Sequence, residues 1–139
     1  MNTQQNIASL LLRLALASGF LSAVASRLNL WGNQSSGWQN FLSYTEQVNS
    51  FVPKAFISPL AVTSTVLELL LGILLLVGYK TRYVASFAAI LTLLFALAMT
   101  FSFGVKEPLD YSVFVFSAAA YLLANFPTNK WSINQLLNQ

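Results

Sequence analysis

Residues 83–105 read YVASFAAILTLLFALAMTFSFGV, and no charged side chain interrupts them. A helix that crosses the hydrocarbon core of a bilayer requires about 20 apolar residues, so this run is long enough to span a membrane. A segment surrounded by lipid has to satisfy its own backbone hydrogen bonds, and an α-helix does so within one segment. The stretch therefore predicts a transmembrane helix, which we assign to residues 83–103.

Three further apolar stretches of comparable length lie at about 7–28, 58–79 and 109–126. The chain of 139 residues is 56% hydrophobic and 8% charged, with a mean hydropathy of +0.64. Soluble domains carry about 25% charged residues, so this composition excludes a soluble enzyme, and its hydrophobicity excludes a disordered chain. The predicted fold is an all-α integral membrane four-helix bundle that forms a single domain over residues 1–139.

The only sizeable loop, residues 29–57, contains a short amphipathic pattern. Side chains suited to one buried face recur at helical spacing at Trp38, Phe41, Leu42, Thr45 and Val48. This spacing predicts a short helix on the outer face of the membrane, with Trp and Tyr residues in the interfacial belt. Such a helix packs on the bundle or anchors in lipid, and a lid over a substrate site is the alternative.

Basic residues in the short loops predict the orientation. Lys80 and Arg82 lie in the tight connection between the second and third spans, and Lys130 follows the fourth. Because short cytoplasmic loops are enriched in Lys and Arg, we expect a multi-pass protein of the bacterial cytoplasmic membrane with both termini in the cytoplasm. The net charge of +3 on so apolar a chain favours anionic lipid, rather than nucleic acid, as a partner.

Ionisable side chains inside membrane spans are costly and are candidates for function. Glu68 lies near the middle of the second span, on a helix face that also carries Ser64, Thr65 and Gly72. The opposite face is apolar, so Glu68 is predicted to point into the bundle. Arg13 of the first span either pairs with Glu68 or extends outward to lipid phosphates, and we favour the pair.

Other polar residues of the spans could surround Glu68. The predicted central polar cluster comprises Arg13, Ser64, Thr65, Glu68, Thr92, Ser117, Tyr121 and Asn125. A second predicted set, which would hold a small polar ligand at the outer mouth of the bundle, comprises Arg27, Lys106, Asp110 and Tyr111. The alternative for the Ser and Thr residues is ordinary helix packing, with each hydroxyl bonded to a carbonyl one turn earlier, and Asp110 could simply cap the fourth helix.

The sequence contains no cysteine and no histidine. Disulfides, thiol redox centres and the usual Cys or His ligation of haem, iron–sulfur clusters and zinc are thereby excluded. If the protein takes part in redox chemistry, another chain or a soluble cofactor must carry the electrons. We therefore expect no catalytic residues, no metal site and no covalently bound cofactor, and a protein that is not catalytic alone.

The chain resembles the DoxX-like family of small bacterial membrane proteins. The resemblance is carried by short runs in a fixed order, namely LLRLAL (11–16), SRL (26–28), LELLLG (67–72), GYKTR (78–82), PLDYS (108–112) and KWSI (130–133). It implies a four-helix membrane bundle. It also implies an association with redox or detoxification systems, because the family takes its name from a subunit associated with an archaeal thiosulfate:quinone oxidoreductase.

Two hypotheses follow for the function. In the first, the protein is a non-catalytic membrane subunit that docks a redox partner protein and binds a quinone among its helices. In the second, it is a small carrier or binding protein for a polar solute or lipid, with Glu68 as the group that responds to protons or ligand. A quinone site requires an apolar, aromatic-lined gap open to lipid, whereas a carrier requires a polar cavity that reaches one aqueous face. An oligomer is compatible with either hypothesis.

Overall fold

The computed structural model describes residues 2–127 and 129–138, and within these residues the regular structure is helical. The helices are α1 (Thr3–Arg27), α2 (Trp38–Val48), α3 (Ile57–Val77), α4 (Thr81–Phe103), α5 (Lys106–Asp110), α6 (Val113–Ala124) and α7 (Ile133–Leu137). Two short 3-10 turns, Gly32–Gln34 and Lys54–Phe56, lie on either side of α2. The prediction of an all-α bundle is confirmed.

Helices α1, α3 and α4 are long and apolar enough to cross a membrane. Their bounds agree with the predicted spans to within a few residues, the largest difference being at the start of α1. There the Asn2 side chain accepts a hydrogen bond from the Gln5 backbone N–H at 2.9 Å, and the Gln5 side chain accepts one from the Asn2 N–H at 3.0 Å. This reciprocal cap starts the helix four residues before the predicted position.

The fourth predicted span is not one continuous helix. The segment that was expected to run through 109–126 is divided into α5 and α6 by a turn at Tyr111 and Ser112, and Ser112 adopts a left-handed φ of +56°. Helix α6 has 12 residues, or about 18 Å at the helical rise, which is shorter than a hydrocarbon core of about 30 Å. Asp110, which could have capped the fourth helix, belongs to α5.

Small residues allow the four apolar helices to approach closely. Ala17 of α1, Ala85 and Ala88 of α4, and Ala120 of α6 are fully buried. In lipid the hydrophobic effect does not drive helices together. Alanine at such contacts lets helix backbones approach closely, so that van der Waals packing holds the helices together. Phe20 of α1 packs edge-to-face against Phe116 of α6, with the ring centroids 5.1 Å apart. On the apolar face of α3 that was expected to meet lipid, Val66, Leu70 and Ile73 are exposed, whereas Leu74 and Val77 are half-buried.

Helix α2 packs against α3 and α4 rather than lying free on the membrane surface. Its residues Thr45 and Val48 are buried, and the Ser102 hydroxyl of α4 donates a hydrogen bond to the Val48 carbonyl. Tyr44 stacks on Phe103 at the end of α4, with the ring centroids 6.4 Å apart. The predicted amphipathic helix is confirmed, and packing on the bundle is the arrangement it adopts. We call the end of the bundle that carries α2 and α5 the outer end.

The opposite end, which we call the inner end, holds both ends of the described chain. Ser9 of α1 donates a hydrogen bond to the Asn129 side chain, and Asn134 accepts one from the Lys80 backbone N–H at 2.9 Å. The segment 129–138 thus packs across the start of α1 and the α3–α4 turn. Both described chain ends therefore lie at the same end of the bundle.

Gly78 follows the last residue of α3, and its surroundings leave no room for a side chain. A Cβ atom there would lie 2.4 Å from the Cβ of Ser132 and 2.8 Å from Nη1 of Arg13. We expect Gly78→Ala to lower the thermal unfolding temperature in detergent, because it adds this clash to the cost of a left-handed φ of +74°. Gly32→Ala is the matched control, since Gly32 also has a positive φ, +58°, but no neighbour within 4 Å of the new Cβ. If Gly78→Ala and Gly32→Ala lowered the unfolding temperature equally, the close packing of Gly78 against Ser132 and Arg13 would be contradicted.

The orientation can be tested with single cysteines, because the natural chain has none. Asn33 lies in the outer connection and Gln4 near the inner end, and both side chains are exposed. We expect a membrane-impermeant maleimide to label Asn33→Cys, and not Gln4→Cys, in intact cells, because Lys80, Arg82 and Lys130 lie at the inner end. Labelling of Gln4→Cys, and not of Asn33→Cys, would show that the orientation is opposite to the predicted one. Thr128, an alternative position, lies outside the described residues.

Candidate functional site

An ion pair between α1 and α3 lies in the apolar interior of the bundle. The Arg27 guanidinium at the end of α1 contacts the Glu68 carboxylate through Nη1, and the two side chains are 11% and 6% exposed. The same Nη1 donates to the Thr65 hydroxyl at 2.9 Å, and that hydroxyl donates to the Ala61 carbonyl at 2.8 Å. Glu68 points into the bundle as predicted, with a guanidinium as its counterion.

The partner of Glu68 is Arg27, so the expected pair with Arg13 is wrong. Helices α1 and α3 are antiparallel neighbours, and Arg13 lies 14 residues, or about 21 Å, before Arg27 along α1. Arg13 is therefore level with Gly78 at the inner end of α3, far from Glu68. It does not extend to lipid either, because it is 2% exposed and donates to the carbonyls of Trp131 at 2.6 Å and Lys130 at 3.5 Å.

Helix α2 covers the ion pair. The Phe41 ring lies over the Arg27 guanidinium, with its centroid 3.7 Å from Cζ. A ring in this position attracts the cation through its π face and excludes water from that side of the pair. Phe41 belongs to the apolar face recognised in the sequence, so its half-buried position against the bundle was predictable, but its contact with Arg27 was not. The covering helix thus belongs to the site.

A cavity of about 540 Å³ extends from the ion pair between α2, α3 and α4. Two hydroxyl-bearing rings, Tyr44 and Tyr111, line it, and its other polar lining residues are Arg27, Thr45, Asn49, Thr63, Ser64 and Glu68. The remaining wall is largely apolar, and includes Phe41, Val48, Leu60, Leu67, Leu91, Leu94, Phe95, Ala98, Met99 and Val113. Leu60, Leu67 and Leu94 of α3 and α4 are exposed, and so are Tyr44 and Tyr111 at the outer end, so the cavity is open both between α3 and α4 and at the outer end.

The Tyr44 hydroxyl is a further polar group in this cavity. Partial burial, reinforced by the nearby Glu107 carboxylate and by Tyr111, raises the pKa of the Tyr44 hydroxyl above its usual range. The group therefore stays protonated at physiological pH and can donate a hydrogen bond. Among the hydrogen bonds between described residues, none uses this hydroxyl. Tyr44 was not predicted as a site residue, and the only sequence signal was its place on the amphipathic helix.

The predicted central polar cluster is only partly assembled. Ser64, Thr65 and Glu68 lie together with Arg27, and Tyr111, predicted at the outer mouth, also lines the cavity. Thr92 and Ser117 instead donate to the carbonyls of Ala88 at 2.7 Å and Ala89 at 2.8 Å, within the α4–α6 packing. The placement of Thr92 and Ser117 in a single cluster is wrong, and the packing alternative holds: the Thr92 hydroxyl bonds the carbonyl one turn earlier in its own helix, and Ser117 bonds a carbonyl of α4.

Four other predicted site residues lie at the surface, away from the cavity. Tyr121 and Asn125 are exposed, and the Asn125 amide donates to the Tyr121 carbonyl at 2.8 Å. Lys106 and Asp110 form an exposed ion pair one turn apart on α5, and surface pairs of this kind contribute little to stability. Their expected roles around Glu68 and at the outer mouth are not supported by this placement. Within residues 2–127 and 129–138, no group of three acidic residues could hold a metal ion.

A double-mutant cycle tests the ion pair. We expect Arg27→Gln and Glu68→Gln each to destabilise the protein in detergent, because each leaves a buried charge without its partner. The double variant should lose less than the sum of the two, with a coupling of about 1–3 kcal/mol. The matched control is Arg13→Gln combined with Glu68→Gln, whose effects should add. Additive effects for Arg27 and Glu68, or coupling between Arg13 and Glu68, would refute the pairing.

The comparison with family models matches residues 8–102 to the DoxX family. The match runs from α1 through nearly all of α4, and it therefore contains the Arg27–Glu68 pair, α2 and most of the cavity wall. No curated protein and no solved structure matches the chain. Because the matched residues make up more than half of the sequence, the chain belongs to the DoxX family.

Proposed function

We propose that this protein is a non-catalytic membrane component of a redox-linked system, and that the cavity between α2, α3 and α4 binds a quinone. The observation that carries the proposal is the form of the cavity, which is apolar, contains aromatic side chains, opens toward lipid and has one buried ion pair at its polar end. A quinone combines a polar head with a long apolar tail. Such a ligand matches both parts of the cavity.

The polar end offers hydrogen-bond donors of the kind that a quinone head requires. A quinone presents two carbonyl oxygens, which accept hydrogen bonds. Arg27 carries five N–H donors, and its contacts with Glu68 and Thr65 use only Nη1. The protonated Tyr44 hydroxyl is a second donor in the same cavity. In this proposal Glu68 holds the guanidinium in place, and the remaining donors bind the quinone carbonyls.

The apolar wall provides space for the tail. Leu60 and Leu67 of α3 and Leu94 of α4 lie where the cavity meets the outside of the bundle. A ligand already dissolved in the bilayer could enter between these helices without crossing water. The polar surface of the cavity is small compared with its apolar surface, which offers a polar solute few binding groups. The lining therefore favours the lipophilic ligand over the carrier hypothesis.

The redox partner and the location belong to the same proposal. Since the sequence has no cysteine or histidine, the electrons would pass between the quinone and a partner protein. Quinones of this type reside in energy-converting membranes, consistent with the bacterial cytoplasmic membrane. Lys80, Arg82 and Lys130 at the inner end favour an orientation with both termini in the cytoplasm.

The ligand can be tested by filling the cavity. Ala98 lines the cavity from α4, and Ala98→Phe would reduce the space available to a ligand. Ala118→Phe is the matched control, because Ala118 is exposed on α6 outside the cavity. After gentle detergent purification, organic extraction should recover quinone from the natural protein and from Ala118→Phe, and at least several-fold less from Ala98→Phe.

Two results would contradict the proposal. Equal quinone in all three preparations would place the quinone in the detergent micelle rather than in the cavity. No quinone in any preparation, together with no saturable binding of an added short-chain quinone, would exclude this ligand class. Thermal unfolding of the three proteins in parallel shows whether Ala98→Phe remains folded, so that a loss of ligand is not mistaken for a loss of structure.

A further inference from the structure

A second cavity, of about 660 Å³, lies at the inner end of the bundle. It is bounded by the start of α4, the end of α6 and the segment 129–138, and it shares no lining residue with the outer cavity. Arg82 and Lys130 provide two cationic side chains, and Asn134 and Gln135 provide amide groups. We propose that this cavity binds the phosphate group of an anionic phospholipid.

The amide groups in this cavity are available as donors. Asn134 accepts a hydrogen bond from the Lys80 backbone N–H at 2.9 Å, and Gln135 accepts one from the Trp131 backbone N–H at 3.0 Å. Backbone N–H groups donate, so the side-chain oxygens of both amides are already occupied. Their NH₂ groups have no acceptor among the described residues. The wall therefore combines two cations with amide donors, which suits an anion with several acceptor oxygens.

The side chains that carry charge at this end of the bundle are basic. The four acidic side chains of the sequence lie elsewhere, because Glu46, Glu107 and Asp110 are at the outer end and Glu68 is paired with Arg27. The buried Arg13 guanidinium adds a further positive charge behind the cavity, where it donates to the carbonyls of Lys130 and Trp131. Arg13 thereby also positions the segment that carries Lys130. An anionic group would offset this field.

The surroundings of the cavity favour a lipid over free phosphate. Trp131 and Tyr83 are exposed at the inner end, and aromatic residues of this type concentrate at the headgroup level of a bilayer. Leu136 and Leu137 of α7 are exposed as well, and would reach the adjoining acyl chains. Basic cavities at the cytoplasmic headgroup level are suited to anionic lipid headgroups. The phosphate of a lipid would thus arrive at the depth of Arg82 and Lys130.

The test is a lipid titration of the purified full-length protein in a neutral detergent. Phosphatidylglycerol should raise the thermal unfolding temperature in a saturable manner, whereas phosphatidylcholine should not. In Arg82→Gln/Lys130→Gln the half-saturating concentration should rise about five-fold for each side chain removed, or about 25-fold in total. Lys54→Gln, an exposed basic residue at the outer end, is the matched control and should respond like the natural protein.

Three outcomes would overturn the proposal. If phosphatidylcholine stabilised the protein as much as phosphatidylglycerol does, binding would not depend on an anionic headgroup. If the double variant and the natural protein had the same half-saturating concentration of phosphatidylglycerol, the lipid would not bind at Arg82 and Lys130. A shift of the same size with inorganic phosphate alone would replace the lipid by free phosphate as the ligand. The comparison of headgroups uses the natural protein only, so it remains decisive even if the double variant is poorly folded.

Discussion

A carboxylate in the middle of an apolar helix is the constraint on which the outer half of this protein depends. Glu68 can stay in the bundle only if a positive group or a proton accompanies it, because the bilayer interior and the protein core solvate charge poorly. Arg27 provides the positive group. This contact sets the axial register of α1 against α3. Phe41 packs on the guanidinium, so the ion pair also positions α2. The cavity beside the pair follows from this arrangement of three helices.

The direction in which Glu68 points was predictable from sequence, but its partner was not. Helical periodicity is local, and it separates the face of Ser64, Thr65 and Glu68 from the lipid-facing leucines. The choice between Arg13 and Arg27 depends on how far α1 is displaced along α3, and a long loop that contains its own helix separates these two helices. Nothing local encodes that displacement. The same reason explains why Thr92 and Ser117, correctly placed on an interior face, take part in packing rather than in the site.

The two arginines of α1 illustrate two ways to bury a guanidinium. Arg27 is neutralised by a carboxylate at the edge of a cavity, where part of its donor capacity remains unused. Arg13 instead binds two backbone carbonyls of the C-terminal segment, close to the end of α3, where the helix dipole places partial negative charge. Arg27 thus belongs to a candidate ligand site, whereas Arg13 holds the segment 129–138 against the bundle. Arg13 lies within an apolar run and Arg27 at the end of the same span, but their partners depend on the packing of the helices.

The shortness of α6 has a consequence for the membrane itself. Its 12 residues present an apolar wall about 18 Å tall, beside neighbours of 21 to 25 residues. Lipids next to α6 therefore meet a hydrophobic mismatch that lipids next to α3 do not, and a bilayer accommodates a short wall by thinning. The annulus around the bundle should accordingly be uneven, thinner along one flank than along the opposite flank. Such a gradient in thickness would favour short-chain lipids, or another short helix, on that flank.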